Sequence, residues 1–132
     1  MDPRMSRFMA SKAFGVVGAS TNREKYGNKC LRCYLQHGLE AYAVNPREKT
    51  IEGVACYPSV AELPETVKSL SIITPPEVTE KVVEAAIAKG IENVWMQPGA
   101  ESPAAVEKAE RAGLNVIADG SCLLVVLGFR EY

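Results

Sequence analysis

The sequence predicts an α/β fold: a doubly wound, mostly parallel sheet with helices on both faces, in a single three-layer domain. Three observations carry this. Short apolar runs of strand length alternate with segments whose apolar residues recur at helical spacing. The helical segments stop at glycines, at Gly38, Gly90 and Gly113. The length, 132 residues, is that of one domain with one buried core.

The elements follow in chain order. Residues 13–17, Ala-Phe-Gly-Val-Val, read as the first strand, ending at Gly18. A helix is expected from about Gly27 to His37, because Cys30, Leu31, Tyr34 and Leu35 share one face. Residues 40–44 form the second strand, cut off by Asn45-Pro46, and residues 54–56 a short edge strand. Pro58 and Pro64 bracket a helical turn. Residues 70–73 are a buried strand. Thr74, Pro75 and Glu77 then predict a helix start, with Thr74 as cap and Glu77 completing a Thr-x-x-Glu capping box. Val78, Val82, Ala85 and Ala86 supply its apolar face. Residues 93–96 are a further strand, and Ser102-Pro103 opens a helix with Val106 and Ala109 inward. Residues 115–118 are the last strand, and 122–127 a final apolar segment. No repeat or linker interrupts this, so one domain spans 1–132, with 1–12 a flexible or peripheral segment.

Such alternation implies right-handed βαβ units and a Rossmann-like sheet of order 3-2-1-4-5-6. Ligands of such sheets bind beyond the carboxyl ends of the strands, where the strand order reverses. Loops 18–22, 74–76 and 97–99 are predicted to meet there.

Composition narrows the function. Fifteen Lys and Arg stand against sixteen Asp and Glu, which argues against a nucleic-acid partner. No apolar run approaches a membrane span, and 1–12 lacks the apolar core of a secretory signal. Four cysteines are too few for a disulfide scaffold. A cytoplasmic setting is expected, with a mitochondrial one left open. The sequence assigns no oligomeric state.

The chemistry gathers at the predicted loops. Gly18 permits a sharp turn, and the backbone N–H groups of Ala19 and Ser20, with the Ser20 hydroxyl, can face a phosphate at the start of the following helix. The same residues would also make a plain strand–helix turn, since the full G-x-G-x-x-G pattern is absent. After the second strand, where dinucleotide-binding domains place an acid for the ribose, stand Asn45-Pro46-Arg47 and then Lys49. This disfavours NAD and fits a ligand with an extra ribose phosphate, such as NADP or coenzyme A. Alternatively, Arg47 and Lys49 are solvated loop charges. His37, the only histidine, reads as a surface or capping residue. Cys30-x-x-Cys33 lies within a helix and reads as core packing, since a redox pair needs an exposed helix N-terminus. Cys122 follows the last strand, as a packed thiol or one near the ligand. No metal-ligand set and no nucleophile–base pair is visible.

Taken in order, Val17-Gly18-Ala19-Ser20, Lys25-Tyr26-Gly27-Asn28, Val44-Asn45-Pro46, Gly53 with Tyr57-Pro58-Ser59, Pro75-Pro76-Glu77 and Val94-Trp95-Met96-Gln97-Pro98-Gly99 resemble the small stand-alone CoA-binding domain proteins. These are related to the N-terminal domain of the succinyl-CoA synthetase α subunit. The resemblance runs from about Phe14 to Cys122. It implies a cofactor, CoA or an acyl-CoA, held by Gly18, Ala19, Ser20, Lys25, Asn45, Pro46 and Arg47, by Thr74, Pro75 and Pro76, and by Gln97, Pro98 and Gly99. Relatives commonly carry Asp-x-Cys after the last strand, whereas this chain has Asp119-Gly120-Ser121-Cys122, one residue longer. The resemblance does not extend to the synthetase domain with the phosphorylated histidine, so a ligase reaction by these residues alone is not expected.

The expected function is therefore binding of a small-molecule nucleotide ligand, CoA or an acyl-CoA, without catalysis. The competing readings are an NADP-dependent oxidoreductase, for which no proton donor is visible, and an interaction module with a vestigial crevice.

Overall fold

The computed structural model describes residues 2–131. Seven strands form one sheet: β1 (Ala13–Val17), β2 (Ala41–Val44), β3 (Thr50–Ile51), β4 (Val54–Tyr57), β5 (Val67–Ile72), β6 (Asn93–Met96) and β7 (Asn115–Ile117). Five helices accompany them: α1 (Pro3–Met9), α2 (Tyr26–Gln36), α3 (Pro76–Lys89), α4 (Pro103–Arg111) and α5 (Leu123–Leu127). The spatial order is β3-β4-β2-β1-β5-β6-β7. All neighbours pair in parallel except β3 and β4. With β3 set aside, this is the predicted doubly wound order. The antiparallel edge comes from Glu52 and Gly53, at φ +50° and +80°, a two-residue hairpin loop with both central residues left-handed.

The central strands are mostly apolar because both faces are covered, with Ser69, Ser71, Asn93 and Asn115 as their buried polar residues. Successive side chains point to opposite sides. Ala13 and Val17 of β1, with Val94 and Met96 of β6, join the core beneath α3 and α4. Phe14, Val16 and Trp95 join the other, beneath α1, α2 and α5. Cys30 and Cys33 are buried in α2. His37 caps the end of α2, with Nδ1 2.8 Å from the Cys33 carbonyl.

Residues 3–9 correct the expectation of a flexible or peripheral start. They form α1, capped by the Asp2 side chain. Phe8 is fully buried, its ring 5.3 Å from Trp95 and 5.7 Å from Phe14. Ser69 Oγ donates to the Phe8 carbonyl at 2.7 Å, and Asn115 Nδ2 to that of Arg4 at 2.8 Å. The helix thus satisfies buried polar groups at the amino edge of the sheet.

The start of α3 also differs. Pro75 is the N-cap and Pro76 the first helical residue; no side chain caps this end. A residue before proline is driven out of the helical region, and Pro75, at φ −57° and ψ 149°, precedes one. Thr74 instead pairs its hydroxyl with Thr79 Oγ1 at 2.7 Å. Ser102 also precedes a proline and is the N-cap of α4, accepting from the Ala105 N–H. No helix among the described residues is long and apolar enough to cross a membrane.

Candidate functional site

The strand order reverses between β1 and β5, and the loops leaving them form the floor of the site. Gly18, at φ +93°, ends β1. A Cβ there would lie 2.0 Å from the Ile73 carbonyl oxygen, and one on Gly27 would lie 2.1 Å from the Gly18 oxygen. Two glycines therefore let the first loop pass between β5 and the start of α2. Within this loop Ser20 Oγ accepts from the Asn22 N–H at 3.0 Å, and Asn22 Oδ1 from the Glu24 N–H. Lys25 is the N-cap of α2 and makes no side-chain cap. The first-turn N–H groups thus keep their capacity to receive an anion.

Side chains from three elements brace the loop. Asn45 Nδ2 donates to the Ala19 carbonyl at 2.9 Å, while its Oδ1 accepts from the Arg47 N–H at 2.8 Å. Buried Asn28 donates to the Ser20 carbonyl at 2.8 Å and to Glu52 Oε2 at 3.1 Å, and accepts from Arg32 Nε at 2.6 Å. Burial pushes the Glu52 carboxyl up, but hydrogen bonds from Asn28 and Arg23 and the charges of Arg23 and Arg32 outweigh it. The carboxyl stays below its ordinary range and ionised. The β3–β4 hairpin is thereby pinned to the first loop.

Two of the cavities among the described residues border the loops after β1 and β5. The first, about 320 Å³, lies between the carboxyl ends of β1 and β2, the segment after β4, and α3. Gly18, Asn45, Pro46 and Thr74 line it, together with Ser59, Val78 and Lys81. The second, about 290 Å³, lies between the loops after β5 and β6, against Thr74, Pro75, Pro98 and Gly99. Thr74 belongs to both, so the two adjoin at one residue. A larger hollow of about 410 Å³ at the opposite edge, by Arg7, Lys12 and Lys68, touches none of these loops.

The remaining predicted residues take different places. Ala19 is buried under the loop, and Pro76 is exposed at the head of α3. Arg47 and Lys49 are exposed and line neither cavity. Gln97 is fully buried behind the second cavity. Its Oε1 accepts from the Tyr26 hydroxyl and from the Leu123 N–H, each at 2.9 Å, while its Nε2 has no partner. Gln97 thus ties α2 to α5 rather than standing open to a ligand. The Tyr26 hydroxyl lies 2.5 Å from Cys122 Sγ. Its one proton goes to Gln97, so the thiol donates to the phenol oxygen. Burial, then the bond to Cys122, raise the Tyr26 pKa and keep the phenol neutral. Cys122 is half-buried at the N-cap of α5 and lines neither cavity.

The sequence reading placed Val78 on the apolar face of its helix and Ser59 only within the family resemblance, and it passed over Lys81; none of the three was assigned to the site. For α3 a signal existed: Val78, Lys81, Val82 and Ala85 share one helical stripe at i, i+3, i+4 and i+7. Among the described residues, no group of three His, Cys, Asp or Glu side chains is gathered to hold a metal ion.

Residues 12–127 match the CoA binding domain family. The chain is 33% identical over 123 residues to the ADP-forming acetate–CoA ligase I of Archaeoglobus fulgidus, covering 86% of this chain and 18% of the ligase. The matching stretch spans a fifth or less of the length of the curated relatives, from 11% to 19%. Among solved structures, a conserved hypothetical protein from Pyrococcus furiosus superposes with a TM-score of 0.83 at 40% identity, covering 87% of this chain and 98% of that one. A hypothetical protein from Pyrococcus horikoshii OT3 gives a TM-score of 0.86 at 33% identity, covering 92% and 85%.

Proposed function

The chain belongs to the CoA binding domain family, and on that premise we propose that it binds CoA or an acyl-CoA at the carboxyl edge of its sheet, without chemistry of its own. The observation that carries this reading is the pair of adjoining cavities beside an uncapped helix. CoA is a long ligand with a flat aromatic base, a pyrophosphate and a slender pantetheine arm. The cavity walled by Val17, Val44 and Val82 suits the base. The Ala19 and Ser20 turn and the open end of α2 suit the pyrophosphate, with Lys25 as the nearby cation. The groove past Thr74, Pro75, Pro98 and Gly99 suits the arm.

Catalysis is not part of the proposal. Tyr26 is held neutral between Gln97 and Cys122, and His37 caps the far end of α2. The acetate–CoA ligase activity in the relatives' names belongs to chains about five times longer than the matching segment.

Calorimetric titration with CoA, acetyl-CoA, NADPH and NAD tests the reading. CoA and acetyl-CoA should bind one per chain and the nicotinamide nucleotides should not. Binding of NADPH in place of CoA would move the protein to the reductase class.

A further inference from the structure

The first cavity is mostly apolar, with Asn45, Ser59 and Thr74 as neutral polar residues in its lining and a charge at one point. Valines wall it, and among the residues that line it Lys81 alone carries a charge. Lys81 lies on the α3 stripe between Val78 and Val82, and the whole stripe faces the cavity. Val78 is 39% exposed, one of two large hydrophobic side chains so exposed among the described residues. An apolar side chain left open on the wall of a cavity is surface for an apolar ligand group. Lys81 makes no salt bridge among the described residues. Its neighbours Glu80 and Glu84 are engaged by Ser102 Oγ and by Lys108. Glu84 feels the Lys81 charge but is held by Lys108, so an exposed ammonium in no salt bridge stands at the edge of a slot shaped for a base.

Arg47 and Lys49 look equally suitable in the sequence, but the structure separates them from this slot. Both are exposed on the loop beyond Pro46, outside the cavity lining. A base seated among the valines carries its ribose at the cavity mouth, where Lys81 lies. Resting on the proposed CoA binding, we propose that Lys81 is the specificity-determining cation for the ribose 3′-phosphate of CoA. Lysine suits a terminal phosphate, since its ammonium is a compact charge on a flexible stem. The apolar walls reduce the screening that a fully solvated pair would suffer.

The test compares CoA with dephospho-CoA, which lacks only that phosphate. Both are titrated into wild type, Lys81→Met, which keeps the apolar stem, and an Arg47→Ala/Lys49→Ala double variant. Wild type should prefer CoA about tenfold, the scale of one charge-assisted contact. Lys81→Met should lose most of that preference, binding dephospho-CoA as wild type does. The double variant should keep it. The wild-type preference should shrink as salt rises. Lys81 is exposed, so all variants should unfold at the wild-type denaturant midpoint. Full preference in Lys81→Met, or its loss in the double variant alone, overturns the inference and leaves CoA binding standing. Equal wild-type affinity for the two ligands does the same. Failure of wild type to bind either ligand overturns the CoA reading and the inference with it.

Discussion

Gly18 and Ile73 meet backbone to backbone. A Cβ on Gly18 would sit 2.0 Å from the Ile73 carbonyl oxygen, closer than any side chain can come. That carbonyl belongs to the residue just past β5, and Gly18 also holds φ +93°. The glycine that opens the ligand loop is thus required first by the packing of the loop on the sheet.

Gly18→Ala should therefore unfold the protein more easily rather than merely weaken a ligand. Left-handed strain and the overlap each contribute about 1–3 kcal/mol. Gly38 is a control: its φ is +70°, yet nothing lies within 4 Å of its Cβ position. Gly38→Ala should cost only the backbone strain, about 1–2 kcal/mol. Urea unfolding of the two variants checks the ranking. Equal midpoints would remove the claim that contact with Ile73 matters.

CoA should raise the melting temperature and NAD should leave it unchanged. A ligand that binds only the native state stabilises it by about 2.7 kcal/mol at a hundredfold excess over Kd, a shift of several degrees for a domain of this size. The position at the end of β2, where an acid would meet the ribose hydroxyls of NAD, is Asn45, which is spent on the Ala19 carbonyl and the Arg47 N–H, and the acid further along, Glu48, is exposed and lines neither cavity. A thermal scan with each ligand at one millimolar concentration suffices. An equal shift with NAD removes the discrimination from the loop after β2.

The sheet was legible because strands buried on both faces read as continuous apolar runs, as residues 13–17 and 94–96 do. The start of β5 was not. Ser69 and Ser71 are fully buried, but they look polar until the Phe8 carbonyl and the Tyr34 hydroxyl are found opposite them. Helix α1 was hidden for a related reason. Seven residues cannot show a long periodicity, and its burial depends on Trp95 and Phe14, far along the chain. In the site, Gly18, Asn45 and Thr74 announced themselves through turn chemistry. Gln97 sat in a recognisable Gln-Pro-Gly motif, yet its partners Tyr26 and Leu123 come from elements remote in sequence. Lys81 had no motif, only its place on a helical stripe.

Glu52 makes part of the stability depend on pH. Its carboxyl is held below the ordinary value near 4.5, chiefly by Asn28 and Arg23 against the opposing effect of burial. A depressed folded-state value means that the stabilisation is present above the unfolded value and is lost as pH falls through the folded one. Glu52→Gln should therefore be less stable than wild type at pH 7, by about 1 kcal/mol for a partly exposed pair. The difference should close towards pH 3. Denaturant melts at the two pH values decide it. A constant difference would mean that the charge of Glu52 is not what pins the hairpin to the Ser20 loop.

The last prediction concerns the lock between α2 and α5. Gln97 Oε1 accepts two hydrogen bonds, from the Tyr26 hydroxyl and the Leu123 N–H, and among the described residues that N–H has no other acceptor. Gln97→Leu keeps the bulk and removes both bonds. It also removes the unpaired Nε2, which offsets part of the loss. Leaving a buried donor unsatisfied costs about 1–3 kcal/mol, and here it falls on the first residue of a five-residue helix. The destabilisation should accordingly be local: α5 opens more often while the sheet persists. Cys122 is the probe, because its thiol rests on Tyr26 at the head of that helix. Alkylation at pH 8 followed by peptide mapping should show Cys122 reacting several-fold faster in Gln97→Leu than in wild type. Cys33 should stay unreactive in both, since burial holds its thiol at about 11 and little thiolate exists at that pH. Cys30, fully buried and pushed up by the same cause, should behave alike. If all three thiols accelerate together, the variant opens the whole face of the sheet, and the Gln97 bonds hold more than α5.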